Sequence, residues 1–153
     1  MTPRKPDFSD PASVVRAFIH QMHCWEAFMG FLDESAEARY RPDGDCTMHR
    51  VEVRLHKLTR QIPPFIVEIY LTKRKRVYTP SGAYRIPPQY NTTHEKVRRV
   101  VPKTKSLVIV ETDRTSGYFG GIREYVVKKQ GGVWLIDSVS ATLGTETMKL
   151  ILV

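Results

Sequence analysis

At 153 residues, with 41% hydrophobic and 10% aromatic side chains, the chain has the size of one domain with a continuous core. Its two cysteines are too few for a disulfide framework, and no run approaches the roughly 20 apolar residues that cross a bilayer. The net charge of +8 is unevenly spread: residues 1–49 carry −3, residues 50–105 carry +11 and residues 106–153 carry 0.

Met1 to Asp7 is charged and proline-bearing, without the apolar stretch of an export signal, so a soluble cytoplasmic protein is expected. Residues 1–9 read as a flexible N-terminus and residues 10–153 as a single domain. Asp10-Pro11 is a helix start, because Asp10 can cap free amides and Pro11 suits the first helical position. Val14, Phe18, Met22, Trp25, Met29 and Leu32 then recur at intervals of three and four, which places them on one core-facing stripe. The helix should fray between Asp33 and Arg41, before the Pro42-Asp43-Gly44 turn. A second helix is expected over 47–61, with Met48, Val51, Leu55, Leu58 and Ile62 inward and Arg50, Arg54, Lys57 and Arg60 outward. Pro63-Pro64 ends it and opens a short helix over 65–73, with Phe65 and Ile69 facing inward and Ile66 and Tyr70 as further inward candidates. Lys73-Arg74-Lys75-Arg76 follows, where four cations suit the negative end of a helix dipole. Ile86-Pro87-Pro88-Gln89-Tyr90 should cross the surface, since neither proline can donate to a ladder.

The second half reads as a meander. A strand over 95–101 leads through a turn at Pro102-Lys103-Thr104 to strands at 105–113, 119–129 and 133–139. Gly131-Gly132 supplies the positive φ values of a tight hairpin, and Arg114-Thr115-Ser116-Gly117 a second turn. The apolar end, Met148 to Val153, is either a last strand or a partner-contacting tail. Helices first and an antiparallel meander afterwards argue for an α+β fold. The expected core holds Val14, Phe18, Met22, Leu55, Leu58, Val108, Val110, Trp134 and Ile136.

The order of amphipathic helices, Pro87-Pro88-Gln89-Tyr90, Glu95-Lys96-Val97, Leu107 to Thr112 and Tyr125 to Ser138 resembles the NTF2-like superfamily. Its lysine-rich hairpin and Trp134-Leu135-Ile136-Asp137-Ser138 are general to that superfamily. The Pro-Pro-x-Tyr segment and the Trp25-Glu26 pair are similar to NTF2-fold immunity proteins of bacterial polymorphic toxin systems, including those beside Rhs-type toxins. The resemblance covers about residues 10–140. It implies a cone of N-terminal helices on a curved antiparallel sheet, and a non-catalytic protein that binds and neutralises a cognate toxin domain.

Read for chemistry, the sequence is sparse. An NTF2-like enzyme would need a pocket carboxylate, and Asp137 is the only one whose alternation with Val133, Leu135 and Val139 places it on an apolar face; the alternative is a strand-end Asp that accepts hydrogen bonds. His20 and Cys24 stand at i, i+4, but the remaining metal ligands, Cys46 and His49, would come from a separate turn, so neither metal nor cofactor is expected. A nucleic-acid-binding domain is the other alternative, because Lys73 to Arg76, Tyr78, Tyr84, Arg98 and Arg99 interleave cations with aromatics, although no recognised motif accompanies them. The same field suits a protein partner with an acidic surface. The expected toxin contacts are therefore Arg74, Lys75, Arg76, Tyr84, Arg98 and Arg99. The competing surface is the acidic helix around Glu26, Asp33, Glu34 and Glu37.

Overall fold

The computed structural model describes residues 6–39, 53–55, 57–58, 62–73, 89–115, 121–143 and 146–150. The first helix, α1 (Pro11–Arg39), starts as its sequence requires. Asp10 Oδ1 and Oδ2 accept from the Ala12 and Ser13 amides at 3.1 and 3.0 Å, while its carbonyl accepts from Val14 N at 3.2 Å. Contrary to the expected fraying after Asp33, the helix continues to Arg39. Val14, Phe18, Met22, Trp25, Met29 and Leu32 are all buried, so the periodic stripe is the core face.

A shorter helix, α2 (Ile62–Tyr70), lies against α1. Its inward residues are Ile66 and Tyr70; Phe65 and Ile69, expected inside, are exposed at 62% and 52%. The helical residues 53–55 and 57–58 also turn apolar side chains outward, and Leu55 and Leu58 do not join the core. Helical spacing identifies a stripe but not what covers it, and here the sheet is already covered by the stripe of α1.

Five strands follow: β1 (Glu95–Thr104), β2 (Leu107–Arg114), β3 (Gly121–Gln130), β4 (Val133–Leu143) and β5 (Glu146–Leu150). They form one antiparallel sheet in the order β1-β2-β3-β4-β5, so every strand pairs with its neighbour in sequence. The sheet is not strongly curled. The β3–β4 hairpin turns on Gly131 and Gly132 at φ of 58° and 85°, the left-handed conformations expected of that pair. Within the tail, residues 146–150 are a strand, β5, while residues 151–153 lie outside the described residues. β1 runs through Pro102, where a turn was expected; it is an edge strand, and its missing amide breaks no interior ladder.

A register shift in β4 changes which residues face the core. Val126 pairs with Ser138 and Val127 with Ile136, so Asp137 is the extra residue of a bulge. Trp134 and Ile136 precede it on the core face; Val139 and Ala141 occupy that face after it, while Val133 is exposed. The alternation that grouped Asp137 with Val133, Leu135 and Val139 therefore fails at the bulge. The bulge is where α2 reaches the sheet, through a parallel bridge between Leu71 and Ile136 and a 2.9 Å bond from Thr72 N to Ile136 O.

The core joins α1, Ile66, Tyr70 and Leu71 to Val108, Val110, Tyr125, Val127, Trp134, Ile136 and Val139. Trp134 lies beneath the Lys129 ammonium, 5.6 Å from its ring centroid, and its amide donates to Phe8 O at 2.9 Å. Trp134→Ala is expected to cost about 3–5 kcal/mol through cavity formation. Urea unfolding followed by circular dichroism checks this, and a loss below about 1 kcal/mol would remove Trp134 from the core.

Candidate functional site: a buried charge cluster beneath the first helix

The core phase of β2 carries Val108, Val110, Thr112 and Arg114, and that of β3 carries Arg123, Tyr125 and Val127; all seven are buried. One end of this face is therefore apolar and the other polar. Antiparallel registration sets Glu95 opposite Arg114, Thr112 opposite Arg123 and Val110 opposite Tyr125. Glu95 sits at the centre of the polar end. Its Oε1 accepts from Thr112 Oγ1 at 2.8 Å and from the Tyr125 hydroxyl at 2.7 Å. Its Oε2 accepts from Arg123 Nη1 at 3.0 Å and lies 3.9 Å from Arg114 Nε. Buried charges require such pairing, since desolvation otherwise outweighs their attraction.

Arg123 also donates from Nη2 to Gln89 O at 3.1 Å, and its guanidinium lies 4.8 Å from the centroid of the Tyr90 ring. The Tyr90 ring meets Phe18 edge-on at 5.5 Å. Tyr90 is 1% exposed, so the segment expected to cross the surface ends inside the protein. Helix α1 grips it by both backbone groups. Glu26 Oε2 accepts from Tyr90 N at 2.8 Å, and His23, one turn earlier, is 2.9 Å from Tyr90 O through Nδ1, which acts as the donor there because a carbonyl only accepts.

Glu26 is also buried, which removes it from the acidic surface anticipated on this helix. Its Oε1 has no hydrogen-bond partner among the described residues. Burial pushes its carboxyl up to about 7, opposed by the Tyr90 amide, Arg123, the Gln89 backbone and Arg114. Burial opposes the charge on Arg123, but Tyr125, Glu95 and Tyr90 more than offset it and the guanidinium titrates above its ordinary value. Arg114 is displaced downward by burial and by the like charge of Arg123. Burial and the Glu95 carboxylate raise the Tyr125 phenol well above the usual range. A cleft of about 170 Å³ opens between α1 and β1, lined by Arg16, Ile19, Thr92, Glu95, Lys96 and Val97.

Of the anticipated partner contacts, Arg98 and Arg99 are exposed on β1, Arg98 at the register shift between Val97 and Arg99. Arg99 is held by a two-pronged pair to Glu111, at 2.6 and 2.8 Å, across β1–β2. Arg74, Lys75, Arg76 and Tyr84 lie outside the described residues. Asp137, the candidate pocket carboxylate, accepts from Thr72 Oγ1 at 2.8 Å and pairs with Lys128 Nζ at 3.0 Å. His20 Nε2 approaches Cys24 Sγ at 3.8 Å, while Cys46 and His49 lie outside the described residues. Among the described residues no three His, Cys, Asp or Glu side chains gather into a metal-sized group.

The sequence reading missed Glu95, Arg114, Arg123 and Tyr125 as a set. Their signal was polar residues occupying the core phase of strands whose other core-phase residues are valine. No helix among the described residues is long and apolar enough to cross a membrane. No family model, curated protein or solved structure matches the chain.

Proposed function

We propose that this protein is a non-catalytic inhibitor of the immunity type, an NTF2-like cone that binds and neutralises a cognate bacterial toxin domain in the cytoplasm. The observation that carries the binding role is the apolar surface of the helices. Phe28 and Phe31 of α1 are 44% and 63% exposed, and Phe65 and Ile69 of α2 are 62% and 52% exposed. Large apolar side chains on solvent faces mark protein contacts more often than they serve solubility, and aromatics are common interface anchors. The toxin as partner comes from the resemblance carried by Pro87-Pro88-Gln89-Tyr90 and the Trp25-Glu26 pair. Lys96 and Arg98 on the rim of β1 continue the positive field of residues 50–105, which favours a partner with an acidic surface. Arg99, already committed to Glu111, contributes less than Arg98.

The reading requires a toxin domain encoded beside this gene, and co-expression of the two tests it by growth rescue. Arg74→Glu with Arg76→Glu is expected to slow association and weaken its salt dependence, while Asp33→Lys with Glu34→Lys leaves protection intact. Loss of protection only in the second pair would place the contact on the acidic helix. Tight, saturable binding of one nucleic acid, or substrate turnover abolished by Asp137→Asn, would overturn the proposal in favour of a nucleic-acid-binding domain or an enzyme.

A further inference from the structure

We propose that Gln89–Tyr90 is a latch strapped to α1 and β3, and that ionisation of Glu26 opens it. Three bonds close the strap: Tyr90 N to Glu26 Oε2 at 2.8 Å, His23 Nδ1 to Tyr90 O at 2.9 Å, and Arg123 Nη2 to Gln89 O at 3.1 Å. Immediately after it, Asn91 holds a turn that needs none of these partners. Asn91 O accepts from Glu95 N at 2.7 Å, and Asn91 Oδ1 accepts from Thr93 N at 2.9 Å and His94 N at 3.3 Å. The chain thus has a self-supporting pivot next to a segment gripped by side chains.

The grip depends on a carboxyl group in an environment that disfavours its charge. Glu26 faces Arg114 from β2, Arg123 from β3 and the Gln89 and Tyr90 backbone from the strap; around Tyr90 itself stand Glu95 from β1, which accepts from the Tyr125 hydroxyl, and His23 on α1. Asp137 of β4 is engaged by Thr72 and Lys128. Arg114 and Arg123 favour the carboxylate, but Glu95 already draws on both guanidinium groups. Ionised Glu26 keeps one oxygen, Oε1, without a hydrogen bond in a site 1% exposed. Opening the strap admits water to that oxygen and breaks none of the β1–β4 ladders. The burial that pushes Glu26 from 4.5 up to about 7 sets the window: the latch is tightest below about pH 4.5, loosens progressively as pH rises toward 7 and levels off above.

Hydrogen exchange on the full chain tests the latch, with protection factors corrected for the intrinsic rate at each pH. If the open strap returns Glu26 to an ordinary pKa, the protection of the Tyr90 amide falls about tenfold between pH 6 and pH 8. The ladder amides of β2 and β3 should not change with it, and Glu26→Gln should abolish the slope. A Tyr90 protection factor independent of pH, an equal fall in the β2–β3 ladder, or a slope that survives in Glu26→Gln would each overturn the proposal. Should Glu26→Gln fail to fold, carbon-detected titration of the Glu26 carboxyl in the unmodified protein decides. The protection loss must level off at that midpoint, and a plateau more than about one pH unit away from it sinks the latch.

Discussion

Arg123→Met is expected to lower the unfolding free energy by about 3–5 kcal/mol, the cost of breaking a buried ion pair from one side. The arginine side chain is 1% exposed, and its removal takes the 3.0 Å bond from Glu95, the donor from Gln89 O and the cation from the Tyr90 ring. Glu95 would keep Thr112 and Tyr125 as donors, with Arg114 at 3.9 Å as its nearest cation. Because most of the cost is the stranded carboxylate, Glu95→Gln added to Arg123→Met should recover part of the loss. Chemical denaturation of the two single variants and the double variant gives the coupling directly. A loss below about 1 kcal/mol for Arg123→Met would mean that the cluster is solvated.

The second large effect concerns pH. Glu26 is raised from 4.5 to about 7 by burial, so the folded protein binds a proton more tightly than the unfolded chain. For a group raised in this way, the stabilising contribution is complete below the unfolded value and is lost as pH climbs through the folded one. Stability should therefore fall between about pH 4.5 and 7 and level off above, by up to about 3 kcal/mol if the full shift is expressed. Other groups titrate nearby, so the measurement is the difference between the unmodified protein and Glu26→Gln in denaturant midpoint at pH 5, 6, 7 and 8. A difference that does not vary with pH would show Glu26 keeping its solution affinity for protons.

The outline of the fold was legible because its signals are local. Asp10-Pro11 caps its own helix, Gly131-Gly132 turns its own hairpin, and the stripe from Val14 to Leu32 is complete within one helix. Leu55, Leu58, Phe65 and Ile69 misled because amphipathic spacing gives a direction without naming the surface that fills it. Asp137 misled because a bulge shifts period two by one residue, and no residue type announces a bulge. The charge cluster was the least legible part. Glu26, Tyr90, Glu95, Arg114 and Arg123 come from five segments, and only their positions in the helical and strand phases connect them. Of the anticipated contacts, Arg98 is free to meet a partner, whereas Arg99 is taken up by a cross-strand carboxylate that its own segment does not reveal.

The order β1-β2-β3-β4-β5 also bears on how the chain reaches this state. Each strand needs only the next one in sequence, so the sheet can assemble hairpin by hairpin with little loop entropy lost at each step. The helices lack that advantage. Glu26 meets Tyr90 across 64 residues, and Thr72 meets Asp137 across 65, so both contacts close long loops. The meander is therefore the natural nucleus, and α1 and α2 dock after the rate-limiting barrier. Substitutions at Val110 or Val127 should act mainly on the folding rate, and those at Glu26 or Thr72 mainly on the unfolding rate.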